Sequence, residues 1–219
     1  MDPMSEPPQP TLFREQSPEP DLVAAGPLHL TRVEEAGVAE VASLVREGLV
    51  RQVVGDVHVP VGEPDTAALR AAAVTALVPG GLAQLGAAVC WEAAAWVYVG
   101  GPPPAVVDLA VRPPANRSAG RPPLVVHQMR TTPKDVRLLG RGPLRITTVP
   151  RTAVDVARRL PPHQAWAVMD ALEREAGLRP TSVLARLQAM QRYRDIGRAR
   201  STATAWVARR QSLRPPVTR

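Results

Sequence analysis

The 219-residue sequence contains one cysteine, one lysine and few aromatic residues. The single cysteine, Cys90, excludes an intramolecular disulfide and any zinc or iron–sulfur site that needs several cysteines. The single lysine, Lys134, is not part of a Gly-Lys-Ser/Thr sequence, which excludes a phosphate-binding loop of that type. Aromatic residues make up 3% of the chain, so the core must consist mainly of alanine, valine and leucine.

Long apolar runs are also lacking. Pro79, Gln84 and Glu92 interrupt the most apolar stretch, residues 74–101, and alanine rather than leucine dominates it, so it is a poor membrane span. Residues 1–20 are acidic and rich in proline, without the basic start and apolar centre of a secretory signal. We therefore predict a cytoplasmic protein that makes no membrane contact and has a disordered tail at residues 1–20.

The formal net charge of +7 is divided unequally along the chain. Residues 1–111 hold five arginines against fourteen acids, a net charge of −9, whereas residues 112–219 hold 22 basic residues against six acids, a net charge of +16. A polyanion such as DNA is attracted to the second half and repelled by the first. Alternatively, the C-terminal arginines form a solvated face or contact the acidic half of the same chain.

Glycines divide the N-terminal region into short predicted elements. We predict a short first helix at residues 21–25, then a helical segment at residues 30–36 with Thr31 as a candidate cap. A helix at residues 39–47 follows, and then a β-hairpin of residues 49–54 and 57–61, with Gly55 in the turn. This order is typical of a winged helix-turn-helix, which we place at residues 21–62.

The remainder of the chain alternates between helical and strand patterns. We predict a mixed α/β domain at residues 63–196, followed by a basic C-terminal tail at residues 197–219. The predicted helices lie at residues 63–78, 87–98, 148–160, 163–176 and 181–194, and the predicted strands at residues 105–111, 124–129 and 144–147. The predicted fold class is therefore α+β, with an N-terminal winged helix-turn-helix and a mixed α/β C-terminal domain.

Residues that could support catalysis do not form a recognisable pattern. The four histidines have no metal-ligand spacing, and nothing in the spacing of the four acids Asp108, Asp135, Asp155 and Asp170 requires a metal. Lys134 lies in a loop-like segment, away from the strand position that a restriction-type nuclease needs. Cys90 follows an apolar run, which favours a buried, unreactive thiol. We predict no enzymatic activity, no cofactor and no metal.

The segment Ile146–Leu160, with the sequence ITTVPRTAVDVARRL, carries one specific pattern. Arg151 and Asp155 are four residues apart on a predicted helix and can pair. Such a pair at a strand-to-helix junction usually fixes packing, so we assign Arg151, Thr152 and Asp155 as a structural motif and keep a functional role as the alternative.

This segment resembles the C-terminal module of the AbiEi family of antitoxins from type IV toxin–antitoxin systems. Asp108-Leu-Ala-Val, Val126-His-Gln and the helix AWAVMDALER at residues 165–174 are similar to family segments in the same order. Upstream, VRQVVGDVHV at residues 50–59 resembles the family's wing. The resemblance covers about residues 22–195.

The resemblance implies an antitoxin and transcriptional regulator of the actinobacterial type. Its winged helix would bind operator DNA, and its α/β domain would act against a nucleotidyltransferase-like toxin, so DNA and such a toxin are the expected partners. Many actinobacterial relatives carry a nuclease-like domain after this module, and we expect none here because the sequence ends at Arg219.

Two other interpretations remain open. Glu40 and Glu47 occupy the predicted recognition helix, where relatives tend to carry arginine, so one alternative is a protein-interaction module with a degenerate winged helix. The other alternative is the remnant of a nuclease-fused protein. If DNA is bound, the predicted contacts fall into an N-terminal and a C-terminal group: Ser43, Arg46, Arg51 and Gln52, and Arg192, Arg194, Arg198 and Arg200.

Overall fold

The computed structural model describes residues 19–24, 26–113, 122–190 and 193–212. Within these ranges the chain forms helices and two β-sheets, which confirms the predicted mixture of α and β structure. In this part of the chain, no helix is both long enough and apolar enough to cross a membrane.

The N-terminal region contains the first sheet and two helices. The elements of this region are β1 (Thr31–Arg32), α1 (Val33–Ala36), α2 (Val38–Arg46), β2 (Val50–Val54) and β3 (Val57–Pro60). The strands are antiparallel in the order β1-β3-β2. The hairpin turns at Gly55, whose positive φ of 56° suits glycine. The helix predicted at residues 39–47 and the hairpin are therefore both present.

Two details of this region differ from the prediction. Residues 21–24 are not helical, and Thr31 does not cap a helix because it pairs with His58 in the sheet. Helix α1 is consequently a single turn with Arg32 at its N-cap position. These elements do not by themselves establish a winged helix-turn-helix.

The second sheet has five strands in the order β6-β5-β4-β8-β7. The pairs β5/β6 and β4/β8 are parallel, and β4/β5 and β7/β8 are antiparallel. The elements of this region are α3 (Ala67–Leu77), α4 (Gly80–Gln84), β4 (Ala88–Val89), α5 (Trp91–Val99), β5 (Val107–Val111), β6 (Leu124–Gln128), β7 (Val136–Leu138) and β8 (Arg145–Thr147). Short β4 and β7 have too few residues to show a strand pattern in the sequence.

Four helices follow the second sheet. They are α6 (Val149–Arg159), α7 (Pro162–Ala176), α8 (Pro180–Ala189) and α9 (Ile196–Ser212). Helix α6 lies at the centre of this layer and packs against α5, α7, α8 and α9. Pro150 is accommodated because backbone N–H groups in the first turn of a helix make no intrahelical hydrogen bond, so proline loses none there. Thr148 occupies the N-cap position but makes no side-chain cap hydrogen bond.

The C-terminal segment forms a long helix. Residues 197–212, which we assigned to a basic tail, belong to α9, and the side chain of Trp206 on this helix is completely buried. The indole N–H of Trp206 donates to Asp170 Oδ1 over 2.7 Å, which fixes α9 against α7. The helix predicted at residues 181–194 ends earlier, at Ala189.

The core is built largely from small aliphatic side chains, as the composition requires. One continuous cluster contains Val53 and Val57 of the hairpin, Leu69 of α3 and Val154 of α6. The N-terminal hairpin therefore shares its core with the α/β region. Burial of each valine or leucine contributes about 1.5–3 kcal/mol, so this shared packing couples the two regions.

Candidate nucleic-acid interface

The junction between β8 and α6 contains the predicted structural motif. Arg151, Thr152 and Asp155 are all completely buried. The hydroxyl of Thr152 lies 2.7 Å from the Thr147 hydroxyl and donates to the Thr147 carbonyl over 3.2 Å. Thr152 thus ties the first turn of α6 to the end of β8.

Arg151 holds the surrounding elements together. Its Nε donates to Asp155 Oδ2 over 2.7 Å, and its Nη1 lies 3.1 Å from Asp135 Oδ1. Its Nη2 lies 3.1 Å from the sulfur of Met129, and its guanidinium stands 5.0 Å from the centre of the Tyr193 ring. The Arg151 side chain therefore contacts Met129 just after β6, Asp135 in the turn before β7, Asp155 on α6 and Tyr193 after α8.

The buried charges of this junction are balanced by one another. Burial lowers the pKa of Arg151, but the carboxylates of Asp155 and Asp135 outweigh it and raise that pKa above its ordinary value. Burial raises the pKa of Asp135, but hydrogen bonds from the Thr132 backbone and hydroxyl, together with Arg151, lower it below 3.8. The junction is therefore an ionic network at neutral pH.

Two further arginines extend the network toward the surface. Arg158 donates to Asp155 Oδ1 over 2.9 Å, and Arg186 Nη2 lies 2.6 Å from Asp135 Oδ1. Three arginines thus share two carboxylates, which leaves the network with an excess positive charge. Burying an unpaired charge is costly. The side chain of Arg158 is partly exposed to solvent, so the excess positive charge is not fully buried.

A cleft of about 610 Å³ opens beside this network, and we call it the aromatic cleft. Its walls are formed by three rings, those of Trp91, His127 and Tyr193, and by several arginines. The ring centres of Trp91 and His127 are 4.1 Å apart, and the guanidinium of Arg159 lies 3.7 Å from the centre of a Trp91 ring. His127 is oriented by Asp108, whose Oδ1 lies 2.7 Å from His127 Nε2.

Backbone strain is concentrated at this cleft. In the described ranges, the non-glycine residues with positive φ are Trp91 at 58° and Asp195 at 59°, and both line it. Such conformations cost about 1–3 kcal/mol each and are found mainly at functional sites. The indole N–H of Trp91 is also buried without a hydrogen-bond partner among the described residues.

We call five arginines the arginine cluster: Arg130, Arg158, Arg159 and Arg194, which line the aromatic cleft, and Arg198, which contacts Leu160 next to Arg159 in the sequence. Backbone carbonyls hold the guanidinium groups of Arg158 and Arg198, whereas the Arg194 side chain is 92% exposed. Arg158 Nε donates to the Arg194 carbonyl over 3.0 Å, and Tyr193 Oη donates to the Arg130 carbonyl over 2.7 Å. Arg198 Nη2 donates to the Leu160 carbonyl over 2.6 Å.

The C-terminal candidates are thus partly brought together. Arg194 and Arg198 belong to the arginine cluster, Arg200 is exposed on α9, and Arg192 lies outside the described residues. Arg209 and Arg210 instead pair with Asp170 and Glu173 of α7. These two are occupied in fixing α9, so the count of C-terminal arginines overstates the charge offered to a partner.

The N-terminal candidates are mostly engaged within their own region. Ser43 donates to Glu47 over 2.9 Å, Arg51 donates to the Glu63 carbonyl over 2.8 Å, and Gln52 donates to the Gly55 carbonyl. Arg46 is exposed on α2. In the described part of the chain, no hydrogen bond or ion pair joins these residues to the arginine cluster.

Apolar and acidic side chains occupy different sides of α2. Val38 is 75% exposed and Val45 45%, and Leu49, just after the helix, is 54% exposed. Val38 and Val45 are two turns apart and share one side, whereas Glu40 and Glu47 lie on roughly the opposite side. The acidic side repels phosphate, and the apolar side favours contact with a protein.

Groups capable of catalysis remain dispersed. Asp135 and Asp155 meet at Arg151, whereas Asp108 contacts His127 and Asp170 contacts Trp206. No group of three or more His, Cys, Asp or Glu side chains within the described ranges is arranged to hold a metal. Cys90 is buried as predicted, and burial, reinforced by Asp155 and Asp108, raises the pKa of its thiol well above 9.0.

Sequence reasoning missed the aromatic cleft. Trp91, His127 and Tyr193 are far apart in the sequence, and nothing in a single sequence reveals that Trp91 adopts a left-handed backbone conformation. The pair Arg158-Arg159, followed by Tyr193-Arg194 in a chain with few aromatics, was the available signal. No known protein-family model matches the chain, and no curated protein matches it.

Proposed function

We propose that the chain is a non-catalytic DNA-binding regulator that resembles the AbiEi antitoxins. The observation that supports this proposal best is the arginine cluster, because its members come from different elements and two of them, Arg158 and Arg198, are oriented by bonds to backbone carbonyls. Arginine binds phosphate through several N–H groups, and an oriented side chain loses little conformational freedom on binding.

The charge distribution determines where DNA would bind. Four acids lie at this surface: Asp195, Asp155 and Glu92 each pair with an arginine, and Asp108 pairs with His127. Contacts with phosphate supply most of the non-specific affinity for DNA. We therefore assign the main DNA contact to the arginine cluster together with Arg200. The hairpin and α2 then add at most modest base contacts, with Arg46 the best placed because it is exposed.

Fluorescence anisotropy with labelled duplex DNA at low salt tests this assignment. The double variant Arg194→Ala/Arg198→Ala should bind much more weakly than the wild type. Arg174→Ala is the matched control, because Arg174 is also exposed. Helix α7 begins at Pro162, which is close in the sequence to Arg159, and Arg174 lies ~18 Å further along this helix. Equal affinity of wild type and double variant, or no binding by the wild type, would contradict the proposal.

A second function is favoured by the surface of α2. The exposed Val38, Val45 and Leu49 suit a protein partner with an apolar patch. An antitoxin that contacts its nucleotidyltransferase-like toxin directly would need such a surface. Val45→Glu should abolish capture of a toxin of that class from the native host and leave DNA binding intact, whereas unchanged capture would exclude α2.

A further inference from the structure

The aromatic cleft has three features of a small-molecule site that duplex DNA binding does not require. Its volume of about 610 Å³ lies within the usual range of about 300–1,000 Å³ for such sites. Both described non-glycine residues with positive φ, Trp91 and Asp195, line it. The buried indole N–H of Trp91 lacks a partner among the described residues.

The polar groups at the cleft determine the charge of its ligand. Arg159 uses Nε to contact Glu92, which leaves both of its Nη atoms without a hydrogen-bond partner in the described part of the chain. Arg158 is committed through Nε and Nη1 but retains Nη2. Glu92, Asp155 and Asp108 pair with Arg159, Arg158 and His127, but Asp195 is the single carboxylate in the lining, which also contains Arg130 and Arg194. The Nη donors that remain on Arg158 and Arg159 therefore favour an anionic ligand.

The remainder of the lining determines what the anion is attached to. A phosphate ion alone would leave most of the cleft unfilled, and the rest of the wall is formed by Trp91, His127 and Tyr193. Planar rings next to guanidinium groups provide stacking surfaces for a nucleobase while arginine holds the phosphate.

We infer that the aromatic cleft binds a nucleoside monophosphate unit, either free or as the 5′-phosphorylated end of a strand. Arg158 and Arg159 hold its phosphate, and the rings of His127 and Tyr193 contact its base. This inference goes beyond the proposed function and needs neither duplex DNA nor the α2 surface, although both proposals use Arg158 and Arg159.

Isothermal titration calorimetry on the full chain tests the inference with AMP and UMP, the corresponding nucleosides, and inorganic phosphate. We expect one nucleotide per chain, with nucleosides and phosphate each binding at least about tenfold more weakly, the effect of losing one charge-assisted interaction. Absence of nucleotide binding by the wild type would overturn the inference. Equal binding of phosphate and nucleotide would overturn the role of the rings.

Variants locate the site. Arg159→Ala should weaken nucleotide binding at least about tenfold, and Arg159→Lys should restore part of it because the charge returns without the planar fork. Arg174→Ala should bind like the wild type. Nucleotide binding that survives Arg159→Ala in full would place the site elsewhere and refute the inference, provided that circular dichroism shows both Arg159 variants to be folded.

Competition distinguishes the two sources of the nucleotide. An oligonucleotide with a 5′-phosphate should displace AMP, and its 5′-hydroxyl counterpart should not, if the site takes a strand end. If neither displaces AMP, the ligand is a free nucleotide. Anisotropy with duplex DNA on the same samples separates the two proposals, because duplex binding without nucleotide binding would refute only the cleft.

Discussion

Arg151 Nε donates to Asp155 Oδ2 over 2.7 Å, and neither side chain has exposed surface. The two residues are one turn apart on α6, so the helix itself sets their separation. Asp135, from the turn before β7, completes the balance of charge around the same guanidinium. Through its contact with Asp135, the pair therefore forms part of a buried link between α6 and the edge of the second sheet.

Removal of one partner should destabilise the protein strongly. Asp155→Ala leaves Arg151 buried with half of its counter-charge, so we expect the free energy of unfolding to fall by about 3–5 kcal/mol. Urea denaturation followed by circular dichroism measures the change. Loss of an exposed pair would cost only about 1 kcal/mol, and the burial of this pair selects the larger value.

Glu175→Ala is the matched control for that experiment. Glu175 pairs with Arg174, but the two side chains are 49% and 68% exposed. Exposed pairs contribute only about 0–1 kcal/mol, so this variant should denature close to the wild type. A loss below about 1 kcal/mol for Asp155→Ala would show that the buried network is not a stabilising link.

Asp135 should make stability depend on acidic pH. Its pKa in the folded protein lies below the ordinary 3.8, so its contribution is fully present above that value and is lost as the pH falls through the lower folded pKa. In Asp135→Asn this part of the acid loss should disappear, and stability at neutral pH should already be lower.

The measurement is urea denaturation at a series of pH values from neutral down to the acid transition. Thr132→Val removes the hydroxyl that donates to Asp135 Oδ2 but keeps the backbone donor. Its acid dependence should therefore fall between those of the wild type and Asp135→Asn. A wild type and an Asp135→Asn variant with parallel pH profiles would show that Asp135 is not held in its charged form.

The sequence predicted local elements better than their assembly. Glycine and proline punctuation located α2, the hairpin, α3 and α7 within a few residues, because these signals act through the backbone conformation of single residues. Residues 197–212 were assigned to a basic tail because of their arginines, whereas Trp206, Ala199 and Ala203 of α9 are buried.

The candidate site could be predicted only in part. The i,i+4 spacing of Arg151 and Asp155 revealed their pairing, but the third partner, Asp135, depends on the packing of a distant turn. The aromatic cleft depends entirely on tertiary structure, since β6, α5 and the turn at Tyr193 each contribute one ring. No periodicity in the sequence records such a meeting.

Gly55 should tolerate substitution less well than another glycine with similar φ. A Cβ at Gly55 would lie 2.8 Å from Pro123 Cγ and 3.2 Å from both Leu77 methyl carbons, whereas a Cβ at Gly48 would meet nothing within 4 Å. Both residues have positive φ, 56° and 69°. The left-handed backbone costs alanine about 1–2 kcal/mol at either position.

Crowding should therefore add about 1–3 kcal/mol to the loss of stability in Gly55→Ala only. Chemical denaturation of the two alanine variants measures the difference directly. If Gly48→Ala were as unstable as Gly55→Ala, backbone conformation alone would explain both, and the hairpin would not be packed tightly against Leu77.

The salt dependence of DNA binding should identify which half of the chain contacts phosphate. Each arginine–phosphate contact contributes roughly 0.9 to the slope of log affinity against log salt concentration. Arg194→Ala/Arg198→Ala should thus reduce the slope by up to about 1.8, while Arg46→Ala on α2 should reduce it by no more than about 0.9. Truncation at Asp195 would not test this, because it removes the buried Trp206 and with it part of the core.

Anisotropy titrations between low and moderate salt provide the slopes, with Arg174→Ala as the control. If the double variant kept the wild-type slope and Arg46→Ala lost it, the DNA contact would belong to α2 and the hairpin, and the arginine cluster would have another role.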